Sequence, residues 1–414
     1  MTRSERDRVV ITGLGALTPL GNTWRDTWDG LTAGRSGVGL ITQFDATEFP
    51  TRIAAEVKGF DPTTVLSVKR ANRSSRTSQL AVAAAQEAVD DAGLGRDLSE
   101  VNAAVVVNSA VSGFSEIADA ADLLERGDAR RISPSFVPSA LTNMAACEIA
   151  IDLGVHGPVN ASALACASGA YALLEARSML LAGDADVVIA GGVDAAITPV
   201  MFAGLSAMRA LTQNNDCPQQ ASRPFDAQRD GFVFGEGAVV FTMELLSHAR
   251  ARGAHVYAEV LGGALTSDGF NIVAPEPSGK YAALAITRAL GNARLDPDAI
   301  DMICAHGTST RANDRTETAA IAAAFGEHAG SLAVSAPKSM TGHLIGAAGA
   351  LAGLLCALSV STGVIPPTIN YETPDPECFL DYVPGSAREQ PVRYATTNAF
   401  GFGGQNCVVV FGRV

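Results

Sequence analysis

Aromatic residues make up only 6% of the 414 positions and charged residues only 18%. So little charge in a chain that is 47% apolar excludes a disordered or fibrous protein and leaves a globular one with a large buried core. Basic residues are outnumbered, 30 Lys and Arg against 43 Asp and Glu, giving a net charge of −13. General affinity for nucleic acid or for an anionic membrane surface is therefore not expected, and any anionic partner has to meet a local patch. The seven cysteines form no Cys-x-x-Cys pair and are odd in number, which argues against a disulfide framework and a cysteine-rich zinc site, and points to a reducing compartment. The polar stretch Met1 to Arg8 runs straight into Val9-Val10-Ile11-Thr12-Gly13, leaving no room for a secretory core. No apolar stretch of roughly 18 residues lacks Gly or polar breaks, so no membrane span is expected and a cytoplasmic protein is. Neither a P-loop nor a Rossmann fingerprint follows the first apolar run.

What is abundant is glycine, 41 residues, set among short β-branched runs: Val9 to Thr12, Ala103 to Val107, Val187 to Ala190, Val239 to Thr242, Tyr257 to Leu261, Met302 to Ala305, Leu332 to Ser335 and Cys407 to Phe411. Most of these read as buried strands. Between them lie Ala- and Leu-rich helical segments, Gln79 to Ala92, Ala167 to Ala182, Lys280 to Leu290, Thr316 to Ala324 and Gly346 to Leu358. This alternation predicts a layered α/β fold. An internal echo is visible: the run Val159 to Leu164 leads through Ala165-Cys166-Ala167-Ser168-Gly169 into a helix of small residues. Leu332 to Pro337 leads in the same way through Lys338-Ser339-Met340-Thr341-Gly342-His343 into another. The pattern alone leaves duplication open; if real, it divides the chain into residues 1–254 and 255–414.

Cys166 precedes a helix that opens with Ala167-Ser168-Gly169, where unpaired backbone N–H groups and the positive end of the helix dipole are expected to lower a thiol's pKa and to hold an oxyanion. That setting suits a nucleophile, but a Cys flanked by Ala is equally a small buried hydrophobe. His306 ends a strand-like run and is followed by Gly307, Thr308, Ser309 and Thr310, an edge suited to a ligand. His343 stands before a Gly- and Ala-rich helix whose N-terminus would keep its imidazole neutral and able to donate a hydrogen bond. Either histidine is also compatible with a satisfied structural side chain. Neither has a second ligand at a useful local spacing, so no metal site is expected. Near the C-terminus, Asn398-Ala399-Phe400-Gly401-Phe402-Gly403-Gly404-Gln405-Asn406 combines two aromatic side chains with backbone freedom, a combination able to place an N–H group and a gate together.

At these residues the chain resembles the β-ketoacyl-acyl-carrier-protein synthases of the thiolase superfamily, especially the synthase II type and the similar ketosynthase subunits of type II polyketide systems. The likeness extends from Val10-Ile-Thr-Gly-Leu-Gly through Ala221-Ser-Arg-Pro-Phe-Asp, Arg229-Asp-Gly-Phe-Val-Phe-Gly-Glu-Gly-Ala and Val364-Ile-Pro-Pro-Thr-Ile-Asn-Tyr to Phe400-Gly-Phe-Gly-Gly. It implies two duplicated βαβαβαββ halves in five α-β-α-β-α layers. It also implies a decarboxylative condensing enzyme: Cys166 would carry the acyl group as a thioester, while His306 and His343 stabilise the enolate formed from a malonyl-carrier thioester. By the same resemblance Lys338 and Glu317 order the histidine loops. The N–H groups of Cys166 and Phe402 form the oxyanion hole, and Phe400 belongs to the gating loop. Thr308 and Thr310 meet the pantetheine amides, and Val111 and Phe136 line the acyl tunnel.

The implied partner is an acyl carrier protein, itself acidic, met by Arg130, Arg131 and Arg209, with Lys69, Arg70, Arg73 and Arg76 as a second basic run; such arginines are otherwise solvated or paired with nearby Asp. No cofactor is implied, since phosphopantetheine arrives on the carrier. Assembly is expected as a homodimer, or as a heterodimer with a homologous chain-length factor, with Phe136 to Met144 lining the tunnel from the neighbouring subunit. Fatty-acid elongation is the leading expectation, and the alternative is the ketosynthase subunit of a type II polyketide synthase. A chain-length factor usually lacks the Cys, which this chain keeps. Ser112, Ser135, Leu205, Arg311, Gln405 and Asn108 depart from the family pattern around the tunnel and its lids, leaving acyl chain length open.

Overall fold

The computed structural model describes residues 4–414, so the polar N-terminal stretch read above lies partly outside the described residues, at positions 1–3. Ten strands form one continuous sheet ladder: β1 (Val9–Leu17), β2 (Ala103–Asn108), β3 (Val159–Asn160), β4 (Val187–Asp194), β5 (Gly237–Leu245), β6 (Ala258–Ser267), β7 (Met302–Cys304), β8 (Ala333–Ser335), β9 (Tyr394–Gly401) and β10 (Gln405–Gly412). Their spatial order is β8-β7-β9-β10-β6-β1-β5-β4-β2-β3. Read outward from its middle, each half repeats the other. In the first, β1 pairs antiparallel with β5 and β5 antiparallel with β4, after which β4, β2 and β3 run parallel. In the second, β6, β10, β9, β7 and β8 follow the same sequence of antiparallel and parallel pairings. The halves meet where β1 pairs with β6, at Val10 with Glu259 and Ile11 with Ala258.

Six helices complete the duplication: α1 (Arg76–Asp91), α2 (Met144–Leu153) and α3 (Ser168–Ala182) in the first half, α4 (Lys280–Ala293), α5 (Arg311–Phe325) and α6 (Ala348–Thr362) in the second. The order in each half is βαβαβαββ, and the elements stack as five α-β-α-β-α layers, with α3 and α6 in the middle touching strands of both halves. Strands β1, β2 and β4 are buried on both faces, which is why they read as unbroken apolar runs rather than alternating ones. The core divides accordingly into a central cluster around α3 and α6 and two outer clusters, one under α1 and α2, the other under α4.

Local chemistry sets the helix ends. Ser75 and Thr310 cap α1 and α5 by accepting from the N–H groups of Ser78 and Asn313. Gly183 and Gly363 end α3 and α6 with φ of +80° and +75°, a conformation that costs glycine nothing. In the central layer, glycine answers a different need. A Cβ on Gly169 would stand 2.6 Å from the carbonyl oxygen of Gly346, and one on Gly349 would stand 2.6 Å from the amide of Ala170. The backbones of α3 and α6 therefore touch directly. The glycines that break up the apolar stretch 345–362 in sequence do not interrupt the helix. Ile345–Thr362 is long and apolar enough to cross a bilayer by length and composition, but 89% of it is buried inside the protein.

Two strands differ from the sequence expectation. The run from Val159 forms a strand only to Asn160 before the chain bends toward Cys166. Strand β9 carries no apolar signal in its middle because Thr396, Thr397 and Asn398 occupy buried positions there.

Candidate active site

Cys166 sits in a turn between β3 and α3, with Ala165 at φ +47°, a left-handed conformation that a non-glycine residue holds only when its surroundings enforce it. Ser168 supplies part of that enforcement: its hydroxyl donates to the carbonyl of Ala165 and accepts from the amide of Leu164 at 2.9 Å. Strand β9 closes from the other side. A Cβ on Gly401 would lie 2.7 Å from the Leu164 carbonyl, so this close approach requires glycine. It brings the N–H of Phe402 to the sulfur of Cys166, alongside the N–H of Cys166 itself. Two backbone donors thus stand beside the thiol, the kind of group that holds the oxygen on which negative charge develops when a thiol attacks a carbonyl.

The histidines come from equivalent loops of the second half. His306 follows β7, and both its own N–H and that of Gly307 donate to the Glu317 carboxylate, at 2.7 and 2.8 Å. Asn398 on β9 donates to the same carboxylate at 3.0 Å. Lys338 donates to the His306 carbonyl and stands 3.4 Å from Nδ1, which leaves Nε2 as the protonated nitrogen. His343 accepts a hydrogen bond at Nδ1 from the N–H of Ile345, at 3.1 Å, so its proton also resides on Nε2. The two rings lie 5.5 Å apart and nearly perpendicular. The ring of Phe232 meets His343 at 5.5 Å, and that of Phe400 meets His306 at 5.7 Å.

Cys166, His306 and His343 share one cavity of about 510 Å³ with Thr308, Thr310, Phe400 and Phe402. Its far wall is apolar, built from Val111, Phe114, Met201, Leu205, Phe234 and Ile345. The hydroxyls of Thr308 and Thr310 are 2.9 Å apart. Burial sets the protonation states. It holds both imidazoles well below the ordinary histidine range, with Lys338 pushing in the same direction, so both are neutral. Lys338 is lowered and Glu317 raised by the same burial. The thiol of Cys166 is pushed up to about 11 by burial, against the partial relief of Lys338 and the two N–H groups. Sequence reasoning expected the opposite sign: the helix terminus is present, but desolvation outweighs it.

The other predicted positions divide. Val111 lines the cavity, whereas Phe136 stands half-buried on the short helix Phe136–Ser139 and, among the described residues, is not part of the cavity wall of a single chain. Arg209 is exposed at the cavity rim with φ +55°. Arg130 and Arg131 are exposed in the turn Ala129–Arg131, where Arg131 reaches Asp128 at 3.4 Å. Of the second basic run only Lys69 and Arg73 are exposed. Arg70 pairs with Asp152, and Arg76 with Glu236 at 2.7 Å, so neither is a free surface charge. Sequence reading gave no role to Asn398 or Phe232, nor to Asp194, whose carboxylate at the end of β4 is fully buried beside the site.

The N-terminal domain family of beta-ketoacyl synthases matches residues 6–249, and the C-terminal domain family of the same enzymes matches residues 257–372. The chain is 46% identical over 414 residues to a protein of Synechocystis sp. named 3-oxoacyl-[acyl-carrier-protein] synthase 2, with 99% of both chains covered. It is 44% identical over 413 residues to proteins of the same name from Coxiella burnetii and Staphylococcus aureus, again over 99% of each chain. Among solved structures it is similar to the ishigamide ketosynthase/chain length factor (TM-score 0.92, 37% identity, 98% of this chain and 99% of that one). It is also similar to a beta-ketoacyl synthase from Burkholderia phymatum (TM-score 0.91, 34% identity, the same coverage). A third likeness is to a type II polyketide ketosynthase solved in complex with its acyl-carrier protein (TM-score 0.90, 31% identity, the same coverage).

Proposed function

The chain belongs to the beta-ketoacyl synthase family, and from that premise we propose how its own residues divide the work of a 3-oxoacyl-[acyl-carrier-protein] synthase. It is a condensing acyltransferase of fatty-acid elongation, and its relatives at 44 to 46% identity are named 3-oxoacyl-[acyl-carrier-protein] synthase 2. The first half, residues 1–254, supplies the nucleophile, and the second, 255–414, supplies the histidines. The sulfur of Cys166 attacks the thioester carbonyl of an acyl group carried on phosphopantetheine. The N–H groups of Cys166 and Phe402 hold the oxyanion, and the pantetheine thiol leaves with the cysteine's proton. The chain lies against the apolar wall that includes Val111. A malonyl thioester then enters past Phe400, its pantetheine arm along Thr308 and Thr310. Its carbonyl oxygen accepts from the Nε2–H groups of His306 and His343. As carbon dioxide leaves, the electron pair of the broken bond becomes an enolate. The enolate carbon attacks the acyl carbon, the bond to sulfur breaks, and Cys166 takes up one proton.

The observation that carries this reading is the convergence of two kinds of donor on one cavity: backbone N–H groups at the thiol, and neutral imidazoles 5.5 Å apart at the second carbonyl. Neutral donors suit an enolate because they stabilise new charge without binding an anionic ground state. The protein works on carrier-bound substrates and needs no cofactor of its own. Arg130, Arg131 and Arg209 face the acidic carrier, with Lys69 and Arg73 as further contacts. The active form is a homodimer. All seven cysteines are free, which supports a reducing, cytoplasmic setting. The likeness to a ketosynthase/chain length factor supports a second reading, a polyketide ketosynthase that requires a homologous partner. Cys166→Ala should abolish condensation, and peptide mapping after incubation with acyl-carrier should find the acyl group on Cys166 of the native protein. An acyl group on another cysteine refutes the mechanism. A stable active dimer of the protein expressed alone supports the homodimer, whereas activity only with a co-expressed homologue supports the second reading.

A further inference from the structure

Asp194 ends β4 as a buried carboxylate with four donors around it. Its Oδ1 accepts from the Ser109 hydroxyl and from the N–H of Val111 at 3.1 Å. Its Oδ2 accepts from the N–H of Ala110 at 3.0 Å and from that of Gly346 at 2.7 Å. The Ser109 hydroxyl in turn accepts from Ser112 at 3.1 Å. The carboxylate joins two different parts of the site, and its Oδ2 holds one N–H from each, those of Ala110 and Gly346. Ala110 and Val111 belong to the wall against which an acyl chain lies. Gly346 follows Ile345, a non-glycine residue held at φ +51° whose N–H fixes the tautomer of His343. The turn is tight as well as strained: a Cβ on Gly346 would lie 2.5 Å from Oδ2 of Asp194.

We infer that Asp194 is a positioning residue that ties the acyl wall to His343, so that the chain bound at one end of the cavity and the donor used at the other are set by a single carboxylate. This rests on the role given to His343 above. The geometry states why an amide does not serve. All four partners donate, so both oxygens must accept, and an amide in their place turns its own N–H groups against two of them. With the turn at Ile345 released, the Nε2–H of His343 is no longer aimed, and displacement of a reacting donor by about 1 Å costs roughly 10²-fold in rate. With the Ala110–Val111 backbone released, the fit of long acyl chains changes at the same time.

The test uses the full-length protein carrying Asp194→Asn and, separately, the milder Ser109→Ala. Three readouts are compared: acylation of Cys166 by short and long acyl-carriers, decarboxylation of malonyl-carrier, and the ¹⁵N signals of selectively labelled His343. Asp194→Asn should keep short-chain acylation and alter the preference between short and long chains. Decarboxylation should fall about 10²-fold, and the His343 signals should move away from a pure Nε2–H tautomer. Ser109→Ala should shift the same readouts in the same direction by less. Decarboxylation at the native rate in Asp194→Asn, or an equal loss of both steps with an unchanged His343 tautomer, overturns the inference. So does a Ser109→Ala protein indistinguishable from the native one, which keeps the question decidable if the first variant does not fold. Native decarboxylation in His343→Ala would instead remove the histidine's assigned role, a failure distinct from that of Asp194.

Discussion

Lys338 stands with its Nζ 3.4 Å from Nδ1 of His306 and donates as well to the His306 carbonyl, so one buried cation orients both the ring and the backbone of that residue. Replacing it with an uncharged side chain of similar length separates these effects. Lys338→Met should slow decarboxylation of malonyl-carrier about 10²-fold, because a preorganised donor is lost. Loss of the ammonium also removes a charge that holds His306 down. The imidazole then protonates at higher pH, and the acid limb of the pH–rate profile should move upward. A slower enzyme with an unmoved acid limb would show that Lys338 does not act through the ring.

The buried thiol makes a prediction of the opposite kind to that of an activated cysteine. With Cys166 pushed up to about 11, its alkylation by iodoacetamide should keep accelerating above pH 9, where an ordinary thiol of pKa about 8.5 has nearly levelled off. The Cys166→Ala protein supplies the background from exposed Cys217 and half-buried Cys147. A plateau below pH 8 would mean that the N–H pair and Lys338 outweigh desolvation.

Charge reversal at Arg130, Arg131 or Arg209 should raise the apparent KM for carrier-bound substrate with little change for a small acyl thioester, and moderate salt should mimic it. Arg70→Glu and Arg76→Glu should behave differently. Both side chains are already paired inside the fold, so they should lower stability rather than carrier affinity. Steady-state kinetics with both substrate types, beside a melting curve, distinguishes the two groups.

Glu87 on α1 accepts from the N–H groups of Ala16 and Trp24, and burial pushes its carboxyl up to about 7. Because the folded value lies above the unfolded one, near 4.5, the native state holds the extra proton between these values. Its contribution to stability is full below pH 4.5 and is lost as pH rises through 7. Glu87→Gln removes that dependence. The stability difference between native and variant should therefore move against the native protein by roughly 1–3 kcal/mol from pH 5 to pH 8. Urea unfolding at the two pH values measures it, and a constant difference refutes the assignment.

The fold was legible wherever burial is two-sided and apolar. Strands such as β2 and β4 show as unbroken Val, Ile and Ala runs, and α1, α3 and α6 show as small-residue helices. β9 escaped because its buried positions are Thr396, Thr397 and Asn398, which satisfy the packing without raising hydropathy. The cysteine and the two histidines that share the cavity were legible by motif, but their supports were less so. Asp194 lies far in sequence from Ser109 and Gly346, and no local pattern reveals a carboxylate whose partners come from two other loops. The sign of the Cys166 shift was misjudged because the helix terminus is local, whereas desolvation is a property of everything packed around it.

The direct contact of α3 with α6 gives the site a built-in ruler. Cys166 precedes one of these helices and His343 the other, and where Gly169 meets Gly346 in the turn before α6 and Gly349 meets Ala170, only main-chain atoms and alanine methyls are in contact, with no side chain to rotate. The separation of sulfur from imidazole is thus gauged by main-chain atoms, whose dimensions do not vary from one rotamer to the next.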